Sequence, residues 1–374
     1  MEPKGSTVYH ATTGALPSFL EYRPKPLLKR PSHVPEKARF PVIDAHNHLF
    51  ADMSAPEMLS IMNAVGVLVF NNVTGNCAFP FDSKGYTIRR RDFDVYRKDW
   101  MQQAPGRFVA FTMSEFAKWE DFTIDFAGGF TDACVAGLRE DARRGALGLK
   151  VTKELGLRFV EPDGSMVRID DARLTPIWRE AGKLGLPVLI HTSDPVGFFS
   201  PADPTNEHFP SLLKHPGWSF YGSRFSKDEL LAQRTRMMAD NPDTTFICPH
   251  VANMPEDLDW VCDLLEKLPN VCIDFSARMD ELGRQPYSAR DFLIRWQDRV
   301  VFAADMPLSE RMYRSYFRFL ETKDEYFDYP GYLGEDTNFV RWKIYGLGLP
   351  DGVLEKIYRK NAQRIIPGLQ EIAR

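Results

Sequence analysis

From residue 41 onward the chain carries eight short apolar runs, each of which ends at or beside a polar residue. Several are almost continuously apolar, which is typical of parallel strands covered on both faces. Longer amphipathic stretches separate them, such as Leu174–Leu184 and Glu256–Leu268. The pattern predicts eight strands that alternate with helices. The runs are Pro41–Asp44, Gly66–Asn71, Phe108–Thr112, Ala146–Lys150, Pro187–His191, Thr245–His250, Val271–Asp274 and Val300–Asp305.

Eight such units favour an α/β fold that closes into a (β/α)8 TIM barrel, because right-handed crossovers and sheet twist bring the last strand beside the first. A doubly wound open sheet is the competing architecture. The length of 374 residues fits one barrel domain with insertions. We therefore expect an irregular, proline-rich N-terminal arm over residues 1–40, and a barrel domain over 41–374 that includes a C-terminal helical extension.

Charge and hydropathy argue against nucleic-acid and membrane partners, and the cysteine content bears on the cellular compartment. The net charge of -4 is spread over segments of mixed sign, and no long basic run is present that could bind nucleic acid. No apolar stretch is long enough to cross a membrane, and Met1–Leu20 lacks the pattern of a secretion signal. The five cysteines are widely spaced, which favours reduced thiols. These features predict a cytoplasmic protein that acts on a small molecule.

The first run leads into the motif Asp44-Ala45-His46-Asn47-His48. Alternate side chains of a strand face the same way, so Asp44, His46 and His48 are predicted to project together. Two imidazoles placed in this way can bind one divalent ion. The alternative is a pair of surface or hydrogen-bonded histidines.

Three more polar residues stand at strand ends. His191 and His250 end the fifth and sixth runs, and Asp305 ends the eighth. Because the carboxyl ends of barrel strands meet at one mouth, these residues and the motif histidines are expected to form one site. Three or four imidazoles with one carboxylate suit zinc, with manganese or another divalent ion as alternatives. We predict His46, His48, His191 and Asp305 as metal ligands.

Asp305 and His250 are the predicted catalytic residues. Asp305 can act as a ligand or as the general base that takes a proton from metal-bound water. A catalytic metal keeps one position open, so His250 is either a further ligand or an acid/base residue.

Four residues are candidates for binding the substrate. Lys150 ends the fourth run, and it can be a cation for an anionic substrate, a carboxylated bridge between two metals, or a surface lysine. Arg278 follows the seventh run and can hold a carboxylate, although a loop ion pair explains it equally well. Phe198 and Tyr221 lie in a long aromatic insertion after His191, of the kind that builds barrel pockets.

These residues resemble the amidohydrolase superfamily, in the branch that includes aminocarboxymuconate-semialdehyde decarboxylase, resorcylate decarboxylases and lactonases. The similarity runs from Phe40 to Pro367 and includes the Asp44–His48 motif, Asp305-Met306-Pro307 and the closing segment Ile357–Arg364. It implies one zinc-like ion and a homodimer. Ala303-Ala304 and the long insertion depart from the family pattern, which puts transfer of the substrate in doubt.

The resemblance leaves the reaction open, since one scaffold supports several chemistries. The aspartate of the motif favours a hydrolase that attacks a lactone, ester or amide with metal-activated water. The alternative is a non-oxidative decarboxylase or hydratase that acts on a small hydroxylated carboxylic acid. A barrel that binds a ligand without turnover ranks last, because all five expected site residues are present.

Overall fold

The computed structural model describes residues 26–50, 52–82, 85–329, 340 and 342–372. Contacts divide the chain into two units, Met1–Pro31 and Ser32–Arg374. In the first unit the described residues, 26–31, are exposed and form neither helix nor strand. In the second unit residues 32–40 also lack regular structure. The other residues of the predicted arm, 1–25, lie outside the described residues.

The predicted parallel strands are present and lie within three residues of their expected bounds, except that the last ends four residues early. The first three form one sheet, β1-β2-β3, and the other five form a second in the order β4 to β8. All neighbours within these two sheets are parallel. In the described part of the chain these strands are β1 Val42–Asn47, β2 Val67–Asn72, β3 Phe108–Ala110, β4 Leu149–Val151, β5 Val188–Ile190, β6 Phe246–Cys248, β7 Val271–Asp274 and β8 Val300–Val301.

Backbone hydrogen bonds join the two sheets at both seams. Beyond β3, Thr112 pairs with Leu149 of β4 in a parallel bridge. At the other seam, Ala45 N donates to Phe302 O at 3.0 Å and Asp305 N donates to His46 O at 3.0 Å. The strands therefore close into the predicted TIM barrel, and the second seam brings Asp305 beside His46.

Helices follow the strands and cover the barrel. Ser54 begins the first one with a capping box, and Gly66 ends it at φ 86°, a left-handed conformation that suits glycine. The predicted helix Leu174–Leu184 is confirmed as Thr175–Lys183. The longer helices are Ala55–Val65, Phe130–Arg143, Thr175–Lys183, Lys227–Ala239, Leu258–Lys267, Pro286–Arg295 and Glu310–Glu321.

Shorter helical segments lie in the loops and near the C-terminus. The α-helical ones are Phe93–Tyr96, Phe209–Lys214, Met279–Gly283, Asp351–Glu355, Asn361–Ile365 and Leu369–Ile372, and Glu154–Leu157 is a turn with non-helical angles at Leu155 and Gly156. The 3-10 segments are Ser114–Ala117, Ala172–Leu174, Val196–Phe199 and Pro216–Trp218, and the π-helical ones are Arg97–Met101 and Lys356–Lys360. Among the described residues, no helix combines the length and hydropathy needed to span a bilayer.

Two apolar layers account for the almost continuously apolar strands. One side of the strands packs against the surrounding helices, as Phe246 and Trp178 do. The other side fills the barrel interior, where Val69, Leu189 and Ile247 pack together with Ala362 of the C-terminal segment. The interior is thus filled with side chains, and the cavity described below lies at the carboxyl ends of the strands.

Two short antiparallel strand pairs lie in the loop after β2. Cys77–Ala78 pairs with Arg89–Arg90, and Phe81–Asp82 pairs with Gly85–Tyr86. This excursion brings Phe79 over the mouth of the barrel, where its ring stacks on His48 with centroids 4.1 Å apart.

Candidate metal centre and substrate cavity

Three of the predicted ligands form one compact buried group, which we call the His–His–Asp group: His46, His48 and Asp305. One ligand atom from each lies within 4.8 Å of the other two. The Nε2 atoms of His46 and His48 lie 3.8 Å and 3.5 Å from the Asp305 carboxylate oxygens. Burial, and then the charge of Lys150, lower the pKa of both imidazoles well below the usual range. Both rings are therefore neutral, which is the form that binds a metal ion.

Asp274 fixes the orientation of His46. Its Oδ2 lies 2.9 Å from His46 Nδ1, and its Oδ1 accepts hydrogen bonds from the backbone N–H groups of His250 and Ser276. Because a carboxylate only accepts, the Nδ1 of His46 carries the proton and its Nε2 presents a lone pair to Asp305. A carboxylate behind a histidine ligand is a common support of metal sites.

His48 is oriented by a hydroxyl group. The Thr74 hydroxyl donates to Asn72 Oδ1 at 3.0 Å, so it accepts from His48 Nδ1, which lies 3.0 Å away. The lone pair of His48 is again on Nε2 and faces Asp305. The protein thus prepares both imidazoles for one ion.

The motif residue Asp44 does not join this group, contrary to the expectation from strand alternation. Its Oδ1 accepts from Ala304 N, and its Oδ2 accepts from the Tyr313 hydroxyl and Asn47 Nδ2. The pairing of β1 with β2 shifts register between Asp44 and Asn47, which interrupts the alternation. Asp44 therefore links β1 to the segment after β8 and to the helix that carries Tyr313, while its burial raises its pKa to about 6.

His250 faces the His–His–Asp group from β6. Its Nδ1 donates to Ser276 O at 2.7 Å, and its Nε2 lies 3.5 Å from Asp305 Oδ2. The Nε2 atom is buried and has no hydrogen-bond partner among the described residues, and the same is true of Asp305 Oδ1. Unpaired buried polar atoms that face one another fit a bound ion or substrate atom between them.

The backbone around His250 is strained. Residues 250–253 all have left-handed φ angles between 52° and 60°, and Asp305 has φ 46°. None of these residues is glycine, so the surrounding structure must impose the conformation. Arg234, which is fully buried, donates to Asn253 Oδ1 at 2.8 Å and to Ala252 O at 2.7 Å. These bonds hold the left-handed turn and the imidazole that it carries.

His191 lies in the same cavity but turns toward its own loop. Its Nε2 is 3.0 Å from Ser193 O and 3.5 Å from Asp194 Oδ1. Burial lowers its pKa to about 4, although Asp194 opposes the shift. His191 is not part of the His–His–Asp group, and its predicted role as a ligand stays a prediction.

Lys150 and Arg278 bring positive charge into the cavity. Lys150 Nζ lies 3.1 Å from His46 Nε2, and burial lowers its pKa to about 8, against the effect of Asp305. Burial raises the pKa of Asp305 to about 7, opposed by Lys150. Arg278 lies 3.5 Å from Asp194, while its buried Nε has no hydrogen-bond partner among the described residues. Both cations can therefore receive an anionic substrate.

One cavity connects these groups and encloses about 970 Å³ of space, including its open mouth. Its walls are partly aromatic and come from the loops after β2 and β5. Phe198 lines it, as predicted, whereas Tyr221 is 63% exposed and is not among the lining residues, so the geometry gives no support for its predicted substrate contact. The lining includes His48, Phe79, Tyr86, Lys150, His191, Phe198, Trp218, His250, Arg278 and Asp305.

The model of one family, described as amidohydrolase, matches residues 43–368. The chain belongs to the amidohydrolase family. No curated protein sequence matches it significantly. This amidohydrolase is similar in fold to a solved 2,6-dihydroxybenzoate decarboxylase in complex with 2,6-dihydroxybenzoate, with 16% identity, a TM-score of 0.50, and coverage of 87% of this chain and 99% of the other. A Staphylococcus aureus protein described as an amidohydrolase has 16% identity, a TM-score of 0.50, and coverage of 83% and 90%.

Two charged residues that support the amidohydrolase site were not assigned from the sequence. Asp274 ends an apolar run as the predicted ligands do, and that shared position was the available signal. Asp194 joins His191, Lys153 and Arg278, but only its place after a strand-end histidine marked it. Burial opposes its ionisation, yet the charge of Lys153 holds the pKa of Asp194 well below its usual value.

Proposed function

We propose that this amidohydrolase is a metal-dependent, non-oxidative decarboxylase of a small hydroxylated aromatic carboxylic acid. The observation that carries the proposal is the meeting, in one cavity, of the His–His–Asp group, two buried cations and aromatic walls. The fold shared with a 2,6-dihydroxybenzoate decarboxylase agrees with it. The predicted order placed a hydrolase first, but cations and aromatic walls suit an aromatic carboxylate better than a lactone or an amide.

His46 and His48, through Nε2, and Asp305 would hold the ion. Their donor set suits zinc and similar divalent ions. When bound, such an ion polarises substrate oxygen atoms and neutralises negative charge that develops on them.

Arg278 and Lys150 are proposed to bind the carboxylate that is lost. The Nε–H of Arg278 has no described partner, so it can donate to a carboxylate oxygen without breaking a bond. Lys150 Nζ lies 3.1 Å from His46 Nε2, and an ammonium group has three N–H donors, so the others can pair with an anion. Phe79 and Phe198 would cover the ring and exclude water.

His250 is the proposed proton donor. When the bond between the ring carbon and the carboxylate breaks, its electron pair stays on the ring carbon and carbon dioxide leaves. Because Nδ1 keeps the proton that it donates to Ser276 O, Nε2, which faces the cavity, would first take up a proton from a hydroxyl group of the substrate. The ring carbon then takes that proton from Nε2, and the substrate oxygen regains a proton from solvent as the product leaves. The strained turn at residues 250–253 would hold this nitrogen in position.

The test is carbon dioxide release from a panel of mono- and dihydroxybenzoates by protein reconstituted with zinc or manganese. We expect release from at least one member, and a loss of about three orders of magnitude or more when a chelator removes the metal, since a bound ion contributes several kcal/mol to such steps. The double variant His46→Ala/His48→Ala should lose both metal and activity. His33→Ala, at an exposed residue paired with Asp324, should keep both.

Two results would contradict the proposal. One is hydrolysis of aryl esters or lactones without carbon dioxide release from any benzoate, which would restore the hydrolase reading. The other is carbon dioxide release that survives complete removal of the metal.

A further inference from the structure

A second group of buried polar side chains lines the same cavity: His208, Asp280 and Glu281, which we call the acceptor group. His208 lies in the insertion after β5, and the two acidic residues lie on the short helix Met279–Gly283 after β7. Their exposures are only 3%, 8% and 1%. Two separate loops therefore bring these side chains together away from solvent.

The acceptor group has few hydrogen-bond partners among the described residues. Among the described residues, no side chain or backbone group donates a hydrogen bond to either carboxyl oxygen of Glu281 or to Asp280 Oδ1, and His208 Nε2 has no hydrogen-bond partner. The Glu281 and Asp280 carboxyl groups face each other and can share a hydrogen bond only when one of them is protonated. His208 Nε2 lies 3.9 Å from Glu281 Oε1 and 3.9 Å from Glu207 Oε1, beyond hydrogen-bond distance of both. Buried polar atoms are nearly always paired in folded proteins, so this many unpaired atoms in one cavity mark a place that a ligand completes.

The surrounding contacts hold the acceptor group in place. Arg284 makes two hydrogen bonds of 2.6 Å to Glu207, the neighbour of His208, and its guanidinium lies 4.0 Å from the Trp342 ring centroid. The backbone N–H of His208 donates to Asn206 Oδ1 at 2.9 Å. The unpaired atoms thus sit on a supported framework, which favours recognition of a ligand of defined shape.

The acceptor group does not have the geometry of a second metal site. Within the described ranges, the compact cluster of metal-ligating atoms is the His–His–Asp group, and the acceptor group does not form another. Arg278 is also close enough to both acidic residues for their charges to act on it, and a cation there disfavours a second one. The carboxyl oxygens of the group can accept hydrogen bonds, in an enclosed, partly aromatic space.

We propose that Glu281, together with His208, binds a hydrogen-bond-donating substituent of the substrate ring, a hydroxyl or an amino group, and so determines which aromatic acid is accepted. The proposal rests on the proposed function for the identity of the ring and its carboxylate. Phe198 lies beside this position, with its ring centroid 5.3 Å from that of His208 and 6.0 Å from that of Trp218. An aromatic ring bound against Phe198 would place a substituent within reach of the acceptor group.

The charge state of Glu281 is compatible with the binding of an uncharged substituent that donates a hydrogen bond. Burial, and then the neighbouring Asp280, raise the pKa of Glu281 well above its usual value. A carboxyl group that stays neutral in this setting still offers a carbonyl oxygen to a hydroxyl or an aryl amine. A site built to bond such a group discriminates strongly against ligands that lack it.

The experiment measures binding rather than turnover, by calorimetry on the metal-loaded protein. The probes are benzoate, its 3- and 4-hydroxy derivatives and its 3- and 4-amino derivatives. We expect at least one substituted probe to bind about 10- to 100-fold more tightly than benzoate, as one well-placed hydrogen bond in a buried site allows. Glu281→Leu should bring this ratio close to one, and Glu281→Gln, which keeps one acceptor, should reduce it less.

Two further variants make the result decisive. His208→Phe keeps the ring contacts but removes Nε2, so it should also lower the ratio, and it replaces Glu281→Leu as the deciding variant if that protein does not fold. Glu180→Gln is the matched control, because Glu180 is a buried carboxylate on an outer helix, where it pairs with Arg139. Its ratio should equal that of the wild type.

The proposal is overturned if no substituted probe binds more tightly than benzoate, or if the ratio is the same in Glu281→Leu and in the wild type. These outcomes are separate from those of the proposed function. A ratio that depends on Glu281 without carbon dioxide release refutes only the decarboxylase, and carbon dioxide release with an unaffected ratio refutes only the acceptor group.

Discussion

The His–His–Asp group and the acceptor group line one cavity, but the protein supplies them with different numbers of hydrogen bonds. In the first, His46 and His48 are each bonded at Nδ1, to Asp274 and Thr74, and their Nε2 atoms converge on Asp305. In the second, no described residue donates a hydrogen bond to the buried carboxyl oxygens of Glu281 or to Asp280 Oδ1. The protein therefore orients the His–His–Asp group for a small ion, whereas the acceptor group needs a larger ligand to supply its hydrogen-bond partners.

Asp274→Asn tests the prepared half of this comparison and should have the largest effect. The change weakens the support behind His46, so metal affinity should fall about 10- to 100-fold, as is usual for residues that orient metal ligands. Competition with a chelator measures the affinity. Asp141→Asn, which alters a buried carboxylate bonded to the Thr112 hydroxyl, should leave it unchanged. Equal affinities in Asp274→Asn and wild type would show that His46 needs no such support.

Arg234→Met tests whether the protein also holds the strained turn that carries His250. The variant keeps most of the side-chain volume but leaves Asn253 Oδ1 and Ala252 O without their donor, so the free energy of unfolding should fall by about 2 kcal/mol. Urea denaturation measures it. Arg236→Met removes an exposed arginine of the same helix that pairs with Asp170, and should change the value by less than about 1 kcal/mol. A similar loss in both variants would remove the case for a special role of Arg234.

Glu281→Gln tests the acceptor group and should have the smallest effect. Unlike Arg234→Met, it should stabilise the folded protein. Replacing an ionisable group that lacks partners should raise the free energy of unfolding by about 1 kcal/mol at neutral pH. Denaturation of metal-loaded protein without substrate measures the gain. Glu180→Gln, which loses its pairing with Arg139, should give no gain.

The gain should depend on pH in a defined direction. Because burial, Asp280 and then the opposing charges of Arg278 and His208 leave the pKa of Glu281 raised, the folded protein binds its proton more tightly than the unfolded chain does. The carboxyl therefore costs stability increasingly as pH rises above about 4.3, its usual pKa, until the folded pKa is passed. The difference between Glu281→Gln and wild type should grow from pH 4 to pH 8. A difference that shrinks over this range would contradict the raised pKa.

Much of the fold could be predicted because parallel strands covered on both faces have nearly continuous apolar sequences that are easy to recognise. The apolar run from Val300 to Ala304 and the polar Asp305 that ends it mark both a strand and its position at the mouth. The same logic brought His46, His48 and Asp305 together correctly. The homodimer and the arm over residues 1–40 stay predictions.

The sequence by itself determined the barrel, its polar mouth and the meeting of His46, His48 and Asp305 there, because these follow from local periodicity and strand order. Tertiary structure alone decided the rest. A register shift in β1 turned Asp44 toward Tyr313, and His191 turned toward Ser193. The meeting of His208 and Glu281 joins loops 73 positions apart, and no local pattern records it. Side-chain direction and loop packing depend on contacts between distant segments, whereas strand formation depends mainly on neighbours along the chain.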